Sequence, residues 1–307
     1  MNYSLKYIQG ERYKFTVRKA VFVLYSEEKN KIVGGTLYVV ATPIGNLSDI
    51  SERAVKVLSG VSFIAAEDTR NTLKLLGALG ISASLVSYHE HNRAEAGERI
   101  AERLLSGESC ALVTDAGTPA ISDPGEHLVS LCAERGIPVT SVPGACACIT
   151  ALTLSALPTS RFVFEGFLPV KGKERRERLS ELSGERRTFV LHEAPHKLIS
   201  TLKDLAEVLG GERRISLCRE MTKLNEEVMR CTLDEALAYY GTNAPRGEYV
   251  LVIEGAKETQ QTQADMSPKE AIDYYVASGL PKKEAIKAAA KLLDIPKNEV
   301  YRASIEE

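Results

Sequence analysis

The chain has no strong charge of either sign, no membrane-length apolar run, no paired cysteine motif and no standard phosphate loop. Lys and Arg number 39 against 41 Asp and Glu, a formal net charge of −2. That balance excludes a globally basic nucleic-acid binder, so any RNA contact has to come from a local basic patch. No apolar stretch approaches the ~20 residues of a membrane span. The six cysteines (Cys110, Cys132, Cys146, Cys148, Cys218 and Cys231) lie mostly inside apolar runs, and only Cys146 and Cys148 are neighbours. A C-x-C without a second pair is a weak metal signature; buried thiols in a reduced, cytoplasmic chain without a metal are expected instead. Neither G-x-x-x-x-G-K-[ST] nor a G-x-G-x-x-G after the first strand occurs.

What is present is an ordinary globular composition, 44% hydrophobic and 26% charged over 307 residues, with material for about two domains. Residues 1–34 form an atypical extension rich in Lys, Arg and Tyr. Its one apolar patch, Ala20 to Tyr25, is short for a signal segment and lacks a small-residue cleavage site, which reads against secretion. A short hairpin or an irregular extension is expected there. From 36 onward strands (36–41, 61–66, 84–88, 109–114, 138–142) alternate with helices (48–58, 69–79, 93–105, 124–135), the first capped by Ser48 or Asp49. Such alternation predicts an α/β domain over 35–157 with a mostly parallel sheet and right-handed crossovers. An apolar helix after 145 leads to a linker at 157–160. A second α/β domain over 158–256 has strands at 162–164, 188–192, 215–218, 227–231 and 248–254, with helices at 173–182, 195–209 and 233–239. Its adjacent strands suggest a mixed sheet. Residues 257–307 read as a Gln-rich tether and a small helix-turn-helix-like tail.

Three loops of the first domain share a character. They are Thr42-Pro43-Ile44-Gly45-Asn46, Asp115-Ala116-Gly117-Thr118-Pro119 with Ser122-Asp123-Pro124-Gly125, and Pro143-Gly144-Ala145-Cys146. In a parallel sheet all three leave the same edge, where α/β proteins bind ligands. Glycines let backbone amides approach a ligand, and prolines fix the loop shape beforehand. With few basic residues to hold phosphates, they suit an adenosine-containing, phosphate-free cofactor.

Together with Thr36-Leu37-Tyr38-Val39-Val40-Ala41, Glu67-Asp68-Thr69-Arg70 and Val142-Pro143-Gly144-Ala145, these loops resemble the tetrapyrrole methylase superfamily. Within it they resemble the bacterial branch that methylates the ribose 2′-oxygen of a decoding-centre cytidine in small-subunit rRNA. Phe164-Glu165-Gly166-Phe167-Leu168-Pro169, Glu193-Ala194-Pro195-His196, Arg219-Glu220-Met221-Thr222-Lys223 and Gly247-Glu248-Tyr249-Val250 extend the likeness, which covers about 36–255 and the helical tail. The chain departs from the pattern at Asp115–Pro119, where porphyrin-modifying members carry a G-x-G-D-P-type loop. It departs again at Cys146, usually Ser, and at His192, usually Tyr.

The resemblance implies two α/β domains and S-adenosyl-L-methionine bound between them by Pro43, Gly45, Asn46, Asp115, Ala116, Gly117, Pro119, Ser122, Asp123, Gly144, Ala145 and Cys146. It implies a homodimer acting on small-subunit rRNA or the assembled 30S subunit. Asp115, at a strand end, suits a hydrogen-bond acceptor for an amino group or hydroxyl; a turn or helix cap is its alternative role. Removing a ribose proton calls for a base, and Glu67, Asp68, Glu193, His196, Glu220 and Lys223 stand at or near strand ends. Glu67 and Asp68 leave the second strand together with Arg70, as a chemical group or as an N-cap with an internal ion pair. For RNA, the run from Lys171 to Arg178 packs five basic residues into eight positions. Lys171, Lys173, Arg175, Arg176, Arg219 and Lys223 are the candidate phosphate contacts, although such a run is also what a solvated helix face looks like. A porphyrin or corrin precursor methylase, and a non-enzymatic nucleotide-binding regulatory module, are the alternative functions.

Overall fold

The computed structural model describes residues 15–17, 20–22, 31–256 and 267–303; the tether expected over 257–266 lies outside the described residues. The leader contributes a two-stranded antiparallel hairpin, β1 (Phe15–Val17) and β2 (Ala20–Phe22). The chain then alternates through β3 (Leu37–Val40), α1 (Glu52–Gly60), β4 (Phe63–Ala66), α2 (Thr69–Ala78), β5 (Leu85–Ser87), α3 (Arg93–Leu105), β6 (Cys110–Val113), α4 (Gly125–Glu134) and β7 (Val139–Val142). These strands form one fully parallel sheet in the order β5-β4-β6-β3-β7.

Because strand side chains alternate, each short apolar strand feeds two cores. Leu37, Val39, Phe63, Ala65, Cys110 and Leu112 pack with Ile100 and Leu104 of α3 and Leu128 of α4. The intervening Tyr38, Val40, Ile64, Ala66, Ala111 and Val113 pack with Val57 and Leu58 of α1 and Leu76 of α2 on the other face. All five strands point the same way, so their carboxyl ends deliver five loops to one edge.

Next come α5 (Ala147–Leu154), β8 (Phe162–Phe167), α6 (Gly172–Ser183), β9 (Thr188–Glu193), α7 (Pro195–Leu209), β10 (Arg214–Arg219), β11 (Glu227–Thr232), α8 (Leu233–Tyr240) and β12 (Tyr249–Ile253). The second sheet runs β11-β10-β12-β9-β8 and is mixed: β8 and β9 are parallel across the α6 crossover, and the other neighbours are antiparallel. One face packs on Leu179, Leu198, Leu202 and Leu205 of α6 and α7. The opposite face, through Val190, Cys218, Val250 and Val252, packs on Cys148, Ala151 and Leu152 of α5. The helix that ends the first block in sequence is therefore a layer of the second. The tail, α9 (Pro268–Ala277), α10 (Lys282–Leu293) and α11 (Lys297–Ala303), encloses its own small core around Ala271, Ile272, Ala285, Ile286, Ala289 and Val300. No helix among the described residues is long and apolar enough to cross a membrane.

One local expectation is corrected. The helix predicted from 48 begins at Glu52, capped by Ser51, whose hydroxyl oxygen accepts the Ala54 N–H at 3.1 Å. Residues Leu47–Asp49 form a separate 3-10 turn, closed when the Asn46 side chain accepts the Ser48 N–H at 3.0 Å. Replacing Ser51 by Ala should lower the stability by about 1 kcal/mol, the usual worth of an N-cap. Urea unfolding checks this, with Ser48→Ala as the smaller-effect comparison.

Candidate functional site

At the carboxyl edge of the parallel sheet, β3 and β6 do not end independently. Thr42 and Gly117 exchange both backbone hydrogen bonds, at 2.9 and 3.1 Å, as an isolated antiparallel bridge. The Thr118 hydroxyl donates to the Ala145 carbonyl at 2.9 Å, which ties in the loop after β7. Three loops are thus laced into one rim. Gly117 sits at φ +86°, where an L side chain would be strained, and a Cβ on Gly144 would lie 2.8 Å from the Ala41 Cβ.

Asp115 stands exposed on this rim and reaches sideways: its carboxylate accepts the Asp68 N–H at 3.2 Å and the Asn71 side-chain amide at 3.1 Å. It holds the start of α2 with one bond per oxygen and keeps lone pairs for another donor. Asp68 caps α2 through the Arg70 N–H (2.8 Å) and takes a forked pair from the Arg70 guanidinium at 3.1 and 2.7 Å. That guanidinium, more than the N–H, holds the Asp68 carboxyl down to about 2. Glu67 is half-buried, and its Oε2 accepts the Thr114 hydroxyl at 2.6 Å.

The second domain closes on this rim. A Cβ on Gly45 would strike Lys223 and approach the Thr222 hydroxyl to 2.8 Å. One on Gly166, at φ +65°, would lie 2.7 Å from Ser122 Oγ. Ile44 and Cys146 join the core made by α5 and the second sheet. The Thr222 Oγ1 is buried without a partner among the described residues, in a turn where Glu220 (φ +50°) and Thr222 (φ +65°) both adopt left-handed backbone. His192 Nε2 is likewise buried and unpartnered, with its ring edge-on to Phe164 and Phe167, and burial pushes its imidazole down. The loops at the edges of the two sheets therefore meet at one junction, Gly45 against Thr222 and Lys223 and Gly166 against Ser122, beside the laced loops that carry Pro43, Asn46, Asp115, Ala116, Gly117, Pro119, Gly144, Ala145 and Cys146.

Three predicted site residues have other work. Asp123 spends its carboxylate on the Ala120, Ile121 and Gly125 N–H groups at 3.0, 3.3 and 2.7 Å, shaping its own loop. Glu193 is buried at 5% exposure and accepts the Thr201 hydroxyl at 2.5 Å and the Ala194 N–H at 2.8 Å. Arg175 turns inward, giving its guanidinium to Asp204 (2.8 Å), the Pro169 carbonyl (2.9 Å) and Thr201 (3.0 Å). Asp123 and Glu193 thus act as loop and core ties, and the Arg175 guanidinium is engaged within the fold. Lys171, Lys173 and Arg176 are exposed on α6, Lys173 near Glu177 at 3.4 Å. Arg219 pairs with Glu227, and Lys223 with Glu220 and Glu248. His196 is exposed in the first turn of α7.

The fourth and fifth loops of the edge complete the frame. The fourth, Glu67-Asp68, is described above. The fifth, Tyr88-His89-Glu90-His91-Asn92 after β5, was not singled out in the sequence. Tyr88 bonds the Ala66 carbonyl through its N–H (2.8 Å) and the Pro124 carbonyl through its hydroxyl (3.0 Å). His89 and His91 meet edge-on at 5.9 Å, and His89 Nδ1 is buried without a partner among the described residues. The loop has no Gly or Pro to announce it; its position at the end of an expected parallel strand was the available signal. No group of three or more His, Cys, Asp or Glu side chains suited to a metal occurs among the described residues.

A family model described as Tetrapyrrole (Corrin/Porphyrin) Methylases matches residues 36–237. A Synechocystis protein named ribosomal RNA small subunit methyltransferase I is 46% identical, covering 89% of this chain and 98% of its own. A protein of the same name from Halalkalibacterium halodurans is also 46% identical, covering 87% and 93%. Among solved structures, uroporphyrin-III C-methyl transferase from Thermus thermophilus, complexed with S-adenyl homocysteine, shares the fold. Its TM-score is 0.51 at 18% identity, over 71% of this chain and 96% of that one.

The Asp68–Arg70 pair gives a pH-dependent expectation. A carboxylate held below its unfolded value favours the fold at neutral pH, and that contribution fades as pH falls from about 4 through about 2. In Arg70→Ala the Asp68 midpoint, followed by carboxyl NMR titration, should rise toward the ordinary ~3.9. A midpoint that stays near 2 would assign the depression to the α2 N-terminus instead.

Proposed function

This chain belongs to the tetrapyrrole methylase family, and on that premise we propose that it uses S-adenosylmethionine to methylate small-subunit rRNA at the ribose 2′-oxygen of a decoding-region cytidine. The reading is carried by relatives 46% identical over nearly their whole length whose name states rRNA methylation, joined to a crevice of matching chemistry. The Thermus neighbour's methylated substrate is not transferred to this chain, because the likeness at 18% identity is one of fold. The reading includes action in the cytoplasm, where ribosomal subunits reside, and a homodimer. The dimer draws support from the exposed apolar Leu47 and Leu224 (42% and 99%) on the two loops that meet at Gly45.

The crevice fits the methyl donor on three counts. Gly45 and Gly144 leave exposed, side-chain-free backbone on the rim. The Thr222 hydroxyl is buried without a partner. Asp115 offers acceptor capacity, while Lys223, beside Gly45, is neutralised by two carboxylates at 2.9 and 2.7 Å. Asp115, the Pro43–Asn46 and Pro143–Cys146 loops and Ser122 would hold the donor, which supplies an electrophilic methyl group when bound.

The chain's own part is to align a weakly acidic hydroxyl with that methyl group and take its proton. Asp68 is committed to Arg70, Glu193 to Thr201, and Glu220 to Lys223 and the Glu248 N–H. Glu67 accepts a single hydrogen bond, through Oε2, and is the carboxylate left for proton transfer. We assign RNA phosphates to the exposed Lys171, Lys173 and Arg176 at the start of α6.

The deciding assay incubates the enzyme with labelled S-adenosylmethionine and either 30S subunits or uroporphyrinogen, then locates the label. Label on a cytidine ribose is expected; label on a base, on the macrocycle or on neither would overturn the reading. In the same assay Glu67→Gln should lower kcat by about 100-fold with KM little changed. Lys171→Glu with Arg176→Glu should weaken rRNA binding and flatten its salt dependence while donor affinity holds, as measured by filter binding at two salt concentrations.

A further inference from the structure

Cys146 and Cys148 stand apart from the other cysteines. Their sulfurs lie 3.4 Å apart where the rim loop after β7 turns into α5. Cys146 is the N-cap residue of that helix, half-exposed and in extended backbone (φ −143°, ψ 111°), and Cys148 is buried one turn-start later. Cys110, Cys132 and Cys218 are sealed in the sheet cores, and burial pushes their thiols up, as it does for the half-buried Cys231. Cys146 alone moves the other way, downward, while its partner Cys148 is pushed up. The hydrogen bond from the Cys148 thiol lowers it most, helped by backbone N–H groups at the helix start. A thiolate at a helix N-terminus beside a second thiol is the arrangement of an oxidisable pair.

We propose that Cys146 and Cys148 form a peroxide-reactive dithiol whose oxidation to a disulfide reversibly shuts the methyl-donor crevice. The chemistry balances in two steps. The Cys146 thiolate attacks a peroxide oxygen, the O–O bond breaks, and hydroxide leaves to be protonated, which gives a sulfenic acid. The Cys148 sulfur then attacks that sulfur, the S–O bond breaks and water departs, so two thiols and one hydrogen peroxide become one disulfide and two waters. Closing the bond draws the sulfurs together by about 1.4 Å, from 3.4 Å to the ~2.05 Å of a disulfide. Cys146 directly follows Ala145, whose carbonyl Thr118 holds, so the new bond tethers the rim loop to α5. It also removes a negative charge from the rim that faces a cationic sulfonium. The gating half rests on the donor placement proposed above; the dithiol half does not.

The test treats the full chain with hydrogen peroxide, alkylates free thiols after denaturation, and maps the peptides by mass. The expected result is one peptide that holds Cys146 and Cys148, has lost two hydrogens and is unalkylated, with the other cysteines alkylated. Equilibrium binding of labelled S-adenosylmethionine should fall about tenfold or more and return with dithiothreitol. In Cys148→Ser the reaction should stop at a Cys146 sulfenic acid that dimedone traps, and in Cys146→Ser Cys148 should stay reduced. Alkylation of both thiols after peroxide, or a disulfide that leaves donor affinity unchanged, would overturn the proposal. A reduced enzyme that binds no S-adenosylmethionine would overturn the donor placement and the gating with it, whereas the mass map judges the dithiol alone.

Discussion

The site depends on one packing contact, α5 against the second sheet. The segment Ala147-Cys148-Ile149-Thr150-Ala151-Leu152-Thr153-Leu154 is mostly apolar, and it buries Cys148, Ala151 and Leu152 while Ile149 and Thr153 stay exposed. Its Cys148, Ala151 and Leu152 fill the face of the second sheet that α6 and α7 leave bare. Because α5 begins directly after the rim loop of β7, burying it fixes that loop against the partner sheet. The same core takes in Ile44 of the β3 loop. Without that helix the two sheets would be neighbours in sequence with no common crevice.

Around this joint, hydrogen bonds do the finer work. The Thr42–Gly117 bridge and the Thr118–Ala145 bond make the rim one object, and Asp115 extends it to the start of α2. In a site built for a cationic, phosphate-free ligand, such preorganised backbone replaces the lysines that a phosphate site would need. The exposed positive charge of Lys171, Lys173 and Arg176 sits apart from this rim, at the start of α6.

The architecture was legible from the sequence because it rests on periodicity. Short apolar strands feeding two cores, and loops rich in Gly and Pro at their ends, are local signals, and Asp115 was found by them. Side-chain direction is not a local signal. Arg175 reads as basic and exposed among its charged neighbours, yet one helical turn brings it over Thr201 and Asp204. Asp123 reads as a ligand until its three backbone partners are seen. Glu193 ends a strand, as a catalytic acid would, but faces a core threonine. The Tyr88–Asn92 loop was missed for the opposite reason: it carries chemistry without punctuation. The membership of α5 in the second core needed the three-dimensional structure, since sequence order places it in the first block.

The two domains touch through positions that lack a side chain, Gly45 against Thr222 and Lys223, and Gly166 against Ser122. The closeness of the domains at these two points therefore depends on absent atoms. In evolutionary terms, a single nucleotide change that turns either glycine codon into an alanine codon inserts a one-carbon spacer between the domains.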